Sequence, residues 1–502
     1  MKLVNPGKIP AVWVSLIPFA FLAATLSIVI KIFGGSALDG ASQVSLLLAS
    51  GVVVAISMIF YKVKWEDFEN GIMDNIRSVS SAILILFLIG AVAGTWMASG
   101  IVPMMIYYGM KIITPKIFLF ATCAICALIS VMTGSSWTTI ATVGVALIGI
   151  GTAHGYSAGW TAGAIISGAY FGDKISPLSD TTTLASSAAG TPLFTHIRYM
   201  LLTTIPSFVI ALIIFLAVSL THETSSQSTI AEFAGDLASC FNINLWLFLV
   251  PVITGVLIVR KMPAILTLFV AILLAAAAAL IFQPHIVWHI ASGEPLSAYH
   301  HLSFMDGFKG LMLTTYGSTG IPVGNPALDR LIATNGITGM LLTVFLVISA
   351  SAFGGVLVGS GMLQSLTNAL LKGINRTLSI VASTIGTGIF ANMITGDQYL
   401  SIILTGSLYK NLYKEKGLEP RLLSRSVEDS ATVCSVLIPW NSCGMTQATV
   451  LKVATLDYLP YCFFNLLSPV MSILVAATGY KIYRKARGKG KGLKIEPLKD
   501  GK

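Results

Sequence analysis

The chain has 502 residues, is 55% hydrophobic and only 10% charged, and has a mean hydropathy of +0.83. Soluble domains run at about 45–50% apolar and about 25% charged, so a water-soluble fold is excluded and an integral helical membrane protein is indicated. The net charge is +10, densest at the C-terminus through Lys481, Arg484, Lys485, Arg487, Lys489, Lys491 and Lys494. Beside a membrane such a run reads as a positive-inside anchor on anionic lipid, not as a nucleic-acid site.

Met1–Lys8 is short and basic, and the apolar run 11–33 that follows is long enough to span, so no cleavable signal is read there. Further apolar spans are predicted at 43–61, 79–101, 117–151, 158–190 and 197–220, then at 241–260, 263–283, 337–360, 378–410, 424–455 and 459–483. Two spans in each half are interrupted. The first half breaks at Thr133-Gly134-Ser135-Ser136-Trp137 and at Ser176-Pro177-Leu178-Ser179-Asp180. The second breaks at Thr395-Gly396-Asp397-Gln398-Tyr399 and at Ile438-Pro439-Trp440-Asn441-Ser442. Thr133 and Thr395 are 262 residues apart, as are Pro177 and Pro439, and Gly100 and Gly361 differ by 261. A shared offset argues for an internal duplication, and paired interrupted spans at matching places in two halves point to a transporter's binding site.

Charge sets the topology. Loop 220–240 has no Lys or Arg and is placed outside. Loops 260–262 (Arg260, Lys261), 361–377 (Lys372, Arg376) and 410–425 (Lys410, Lys414, Lys416, Arg421, Arg425) are placed inside, which leaves Lys111 and Lys116 outside. Span 378–410 then begins and ends on one side. Its arms are short for full crossings, so it reads as a re-entrant hairpin tipped by Thr395-Gly396-Asp397. Span 117–151 is its counterpart, tipped by Thr133–Trp137. The predicted fold is an all-α polytopic membrane protein of two inverted repeats, each of about five crossings plus one re-entrant hairpin, with broken helices at the midplane. Residues 1–220 form the first repeat, 221–240 an external linker, 241–483 the second repeat and 484–502 a basic cytoplasmic tail, with both termini inside.

Within loop 284–336, His285 and His289 have a spacing that suits a metal on a helix, although incidental histidines on a solvated loop, with His300 and His301, are the plainer reading. Phe304–Gly310 resembles Trp65–Gly71; both read as surface-lying helices whose Asp306 and Asp67 are simply solvated. Cys123-x-x-Cys126 has redox spacing, but in an apolar run cysteines behave as small hydrophobes.

The stretch Gly168–Thr183 carries the chemistry, with Asp173, Lys174, Pro177 and Asp180 inside a hydrophobic region. Either it is a polar loop outside the bilayer, or it marks an ion or substrate path at membrane depth. A hard cation such as Na+ takes oxygen ligands. Candidates for ion or proton binding are Thr133, Ser135, Ser136, Asp173, Ser176, Ser179, Asp180 and Thr181 in the first half and Asp397, Asn441 and Ser442 in the second. Sodium itself is placed at Asp173, Asp180 and Asn441. Single hydroxyls often back-bond to helix carbonyls, so the carboxylates carry more weight. A carboxylate taken out of water holds its proton more tightly, and a bound cation loosens it again. Glu428 and Asp429 have no acidic counterpart 262 residues earlier, where Ile166 and Ser167 stand, and are candidates for carrying or tuning the proton. Lys174 either pairs with Asp173 or a neighbouring acid, or snorkels to an interface. Asp397 stands where the first half has Ser135 and is read as part of a second site near Asn441, tuned by Glu428 or Asp429.

The segments S-G-A-Y-F-G-D-K-I-S-P-L-S-D-T-T (167–182) and E-D-S-A-T-V-C-S-V-L-I-P-W-N-S-C-G (428–444), with T-G-S-S-W-T-T at 133–139, resemble the signatures of the sodium/proton antiporter C (NhaC-type) family. The likeness runs from about residue 10 to 480, and departs at Ala431 and Cys434, where Gly and Thr or Ser are expected. It implies the ion-transporter superfamily fold in a bacterial cytoplasmic membrane and coupling of Na+ to H+. Similar members exchange malate for lactate with Na+ and H+. Two readings follow: an antiporter expelling Na+ against proton entry, or a Na+-coupled exchanger of small organic anions. For the latter, amides at Gly134–Ser136 and Asn441–Cys443 and the charge of Lys174 would hold a carboxylate. A membrane-embedded hydrolase lacks a nucleophile–base pair, since no histidine lies in the broken spans. The expected partners are Na+, H+, small carboxylates in the second reading, and the lipid bilayer, with no nucleic acid, no cofactor, and room for a homodimer.

Overall fold

Long runs of Leu, Ile, Val and Ala fold as helices in lipid because every backbone polar group must then be satisfied within its own segment. A computed structural model describes residues 9–33, 39–222, 227–260, 262–321, 323, 328–329, 332–371, 376–485 and 495–497. Within them 9 helices are long and apolar enough to cross a membrane, or up to 11 if two bent pairs each count as one span. The chain is therefore a multi-pass helical membrane protein. The strands among the described residues are Tyr483–Lys485 and Ile495–Pro497, paired antiparallel. Met1–Lys8, Lys261, Lys372 and the tail residues Arg487, Lys489, Lys491 and Lys494 lie outside the described residues.

The four predicted breaks are present, and local chemistry makes each one. Helix Phe118–Thr133 stops at Gly134 (φ 68°), and Thr377–Thr395 stops at Gly396 (φ 62°). Glycine enters that left-handed conformation without a Cβ penalty. The next helix is then N-capped by a side-chain oxygen: Ser135 accepts from Thr138 N, and Asp397 accepts from Leu400 N. Thr133 Oγ1 donates to Ser135 O at 3.3 Å, and Thr395 Oγ1 donates to Asp397 O at 3.0 Å. At the proline breaks, Ser179 caps Asp180–Ala189 and Asn441 caps Ser442–Leu451. Each pair is separated by 262 residues. Short polar side chains at these positions supply the acceptors that first-turn amides need.

Helix Phe118–Thr133 lies tightly along Ala158–Ile175. A Cβ on Gly168 would sit 2.1 Å from Cys123 O, and one on Gly172 would sit 2.5 Å from Ala127 O. Small residues let the two backbones meet. This seam presses the helix that ends near Asp173 onto the hairpin that carries Ser136.

The structure adds to or departs from expectation in three places. Stretch 221–240, expected as a linker, holds the helix Gln227–Cys240, which buries Phe233 and Leu237 and bends by 90° into the next helix. Its apolar residues recur at helical spacing, but too few of them for a span. Residues 223–226 of that stretch lie outside the described residues. Trp65–Gly71 is not a separate surface helix but the start of the 34-residue helix Trp65–Ala98, because nothing in 65–79 breaks it. Loop 284–336 contains the helices Pro284–Ser292 and Phe304–Tyr316.

Candidate functional site

Asp173 lies two residues before the end of helix Ala158–Ile175, where the chain must turn into Pro177. Its Oδ2 accepts from Ser136 Oγ at 2.7 Å and its Oδ1 from Ser179 Oγ at 2.6 Å. Ser136 opens the helix beyond the hairpin tip and Ser179 caps the helix beyond the break, so one carboxylate ties the two interruptions together. The Thr181 hydroxyl lies 2.9 Å from that of Ser179. Asp173, Asp180, Thr133, Ser135 and Thr181 line one cavity of about 240 Å³. Gln398 and Tyr399, from the second hairpin, contribute to its wall, as do Met262 and Thr267. Its lining among the described residues has two carboxylates and no Lys or Arg. Oxygen donors of this kind fit a small hard cation. Among the described residues no three His, Cys, Asp or Glu side chains gather as a metal site.

Ser176 lies outside that lining. Its hydroxyl donates to Val131 O at 2.8 Å and accepts from Leu178 N at 3.3 Å, so it staples the break to the hairpin. Asp397 is also outside the lining. Its Oδ1 accepts from Leu400 N at 2.9 Å and its Oδ2 from Ser442 Oγ at 3.3 Å, while Ser442 N donates to Gly396 O at 2.7 Å. Asn441 accepts from Cys443 N and donates to Asn392 O and Oδ1, both at 3.2 Å. The expected sodium set is thus split: Asp173 and Asp180 share a cavity, whereas the amide of Asn441 is taken up by its own cap and Asn392.

Glu428 and Asp429 lie on the Asp173 side, away from the Asp397 contacts. The Asp429 carboxylate forms a direct ion pair with Lys174 and accepts from Ser468 at 2.9 Å and Thr203 at 3.0 Å. Lys174 Nζ also donates to Ser468 Oγ at 2.8 Å, and both charged groups are completely buried. Lys174 therefore pairs with an acid 255 residues away, neither with its neighbour Asp173 nor at an interface. Successive helical residues point roughly 100° apart, so Asp173 faces the hairpin while Lys174 faces helix Phe463–Thr478. Glu428 begins a π-helical turn, Glu428–Thr432, and its Oε2 accepts from Thr432 Oγ1 at 2.7 Å.

The family model for the Na+/H+ antiporter family matches residues 168–480. The chain is 36% identical over 428 residues to the Na(+)/H(+) antiporter NhaC of Alkalihalophilus pseudofirmus, an alignment covering 85% of this chain and 88% of that protein. This chain belongs to the Na+/H+ antiporter family. It is also 32% identical over 485 residues to the arginine/ornithine antiporter ArcD of Halobacterium salinarum, covering 96% of this chain and 95% of that one. The malate-2H(+)/Na(+)-lactate antiporter of Bacillus subtilis is 34% identical over 421 residues, with 84% and 86% covered.

Several residues of this Na+/H+ antiporter family member escape a sequence reading. Gln398 and Tyr399 sit in a recognised break, but nothing local says that they turn into the cavity lined by Asp173 and Asp180. Arg425 reads as a loop charge that sets topology. In the fold it is fully buried, its Nε 3.9 Å from Asp429 Oδ2 and its guanidinium 4.8 Å from the Tyr199 ring centroid. Thr182, Thr203 and Ser468 look like ordinary helix hydroxyls. His285 and His289 are taken by backbone carbonyls, of Cys240 at 3.0 Å for the first and of Glu294 at 2.6 Å and Gly320 at 3.1 Å for the second. All six cysteines are buried, and none is joined to another by a disulfide among the described residues.

Proposed function

We propose that the chain is a secondary active antiporter that couples proton entry to sodium extrusion. One observation carries this reading: the cavity at the paired breaks has two carboxylates, several hydroxyls and no Lys or Arg among its described lining. A cation is attracted there and an anion is repelled. Binding a cation beside buried carboxylates disfavours a proton there and the reverse, and that mutual exclusion is the elementary requirement of exchange. The two halves are inverted repeats in this proposal, with re-entrant hairpins at 117–151 and 378–410 that meet near the midplane. The matched caps at one offset support the duplication, and the basic loops support cytoplasmic termini in a bacterial inner membrane.

The test is reconstitution in liposomes carrying an internal pH dye. External NaCl should make the lumen more alkaline as Na+ enters and H+ leaves, and Asp173→Asn should abolish the response. No sodium-driven pH change in the wild type overturns the proposal. The relative named for malate and lactate keeps a second reading in play, in which Na+ and H+ accompany a small carboxylate. Lys174, the positive charge that reading relies on, is instead paired with Asp429. In the same vesicles, a pH response that required added malate or lactate would favour this second reading.

A further inference from the structure

Three buried acids lie around the first break, and their hydrogen bonds differ in kind. An ionised carboxylate only accepts, whereas a carboxylic acid also donates once. Asp429 accepts from Lys174, Ser468 and Thr203, which is the partner set of an ionised group. Asp173 accepts one hydroxyl on each oxygen and faces the cavity, with lone pairs left for a cation.

Glu428 is different. Its Oε2 accepts from Thr432 at 2.7 Å. Its Oε1 lies 3.5 Å from Thr182 Oγ1, but the single hydroxyl proton of Thr182 points to Lys174 O at the shorter distance of 2.9 Å. That hydroxyl also reaches Asp173 O at 3.3 Å, so with its proton spent on these carbonyls its oxygen is free to accept from a protonated Oε1. A proton on Oε1 completes the set, donated to Thr182; without one, this completely buried oxygen has as its donor a Thr182 hydroxyl at 3.5 Å that lies closer to Lys174 O. Glu428 takes part in no described ion pair. It also sits in a π-helical turn, a feature that recurs at functional sites. Two routes join it to the cavity wall: Thr182 follows Thr181, and Gln398 Nε2 lies 3.5 Å from Thr432 O.

We propose that Glu428 carries the proton of the transport cycle, separately from the cation ligand Asp173. This rests on the Na+/H+ reading above. When Na+ occupies the cavity, Glu428 releases the Oε1 proton past Thr182. When Na+ leaves, Glu428 takes a proton back, so one positive charge replaces another and the site's net charge is constant. The charged groups facing Glu428 are Lys174, Asp173 and Asp429. Arg425 is turned to Asp429 and Tyr199, and the Cys434 thiol to Asn465 O. Of the packed helices, Thr377–Thr395 and Phe463–Thr478 carry no titratable side chain, and Asp180–Ala189 carries only Asp180, in the cavity. On Gln398–Glu415, Tyr399 lines the cavity, Tyr409 and Tyr413 bond to Ser383, Thr387 and Thr384, and Lys410, Lys414 and Glu415 line a separate pocket.

The full-length protein in liposomes tests this with two readouts: radiolabelled Na+-for-Na+ exchange at equal pH, and Na+-driven proton movement. Glu428→Gln should keep Na+-for-Na+ exchange within about threefold while proton movement falls at least about tenfold. Asp173→Asn should lose both. Glu428→Asp should regain proton movement with a displaced pH profile. If Glu428→Gln fails to fold, Thr432→Val should displace the pH profile and leave Na+-for-Na+ exchange intact. Wild-type proton coupling in Glu428→Gln overturns the proposal, as does loss of Na+-for-Na+ exchange as complete as in Asp173→Asn. An unchanged pH profile in Thr432→Val also overturns it. A wild type that moves no protons with Na+ overturns the antiport reading and this proposal with it. A wild type that antiports beside a Glu428→Gln that does so equally well overturns only the proposal.

Discussion

Asp429 is the carboxylate that faces both Lys174 and Arg425, and all three side chains are fully buried. Asp429→Asn removes the counter-charge of two cations at once. Breaking a buried ion pair from one side leaves an uncompensated charge and costs about 3–5 kcal/mol. Lys174→Met is milder, because Asp429 keeps Arg425 at 3.9 Å and the hydroxyls of Thr203 and Ser468. We expect it to cost about 1–3 kcal/mol, the scale of a lost charge-assisted hydrogen bond. In the double variant only Arg425 stays unmatched, so its cost should fall short of the sum of the singles by about 1–3 kcal/mol. For a chain of this length roughly 1 kcal/mol corresponds to about 1 °C of apparent midpoint. Asp429→Asn should therefore melt about 3–5 °C below wild type, and Lys174→Met about 1–3 °C below. Thermal unfolding in detergent, at fixed Na+ and followed by monodispersity, reads this. Equal damage from Lys174→Met and Asp429→Asn, or effects that simply add, would refute Asp429 as the shared counter-charge.

Three further outcomes follow from the geometry. Ser136→Ala and Ser179→Ala each remove one hydroxyl from Asp173, worth about 0.5–1.5 kcal/mol, so half-saturating Na+ in a transport titration should rise roughly 2–10-fold; unchanged values would mean that Asp173 does not hold the cation. Asp397→Asn keeps a good N-cap and should barely move the thermal midpoint, whereas Asp397→Ala should cost about 1 kcal/mol. If Asp397→Asn leaves both the pH profile and the Na+ half-saturation of exchange unchanged, Asp397 serves only to cap its helix. Gly168→Val places a Cβ 2.1 Å from Cys123 O and must push the paired helices apart; the expected loss is about 1–3 kcal/mol or more in thermal unfolding, and wild-type stability would contradict the close seam.

The sequence by itself determined what depends on short-range chemistry. Composition alone required helices in lipid. Gly134 and Gly396 ended their helices because only a residue without Cβ enters the left-handed turn freely, and Ser135, Asp397, Ser179 and Asn441 restarted them because a short polar side chain satisfies first-turn amides. Those are neighbour effects, so they repeat at one offset and are visible in one dimension. Partner choice is not of that kind. That Asp173 is held by Ser136, that Lys174 turns from its neighbour to Asp429, and that Gln398 and Tyr399 rather than Asp397 enter the cavity were decided by the fold. So was the burial of Arg425, a residue whose charge alone suggested a loop. Each of these depends on which face of one helix meets which face of another, often more than 200 residues away. Packing fixes that choice, since a buried charge or hydroxyl must find its partner wherever the chain has brought one.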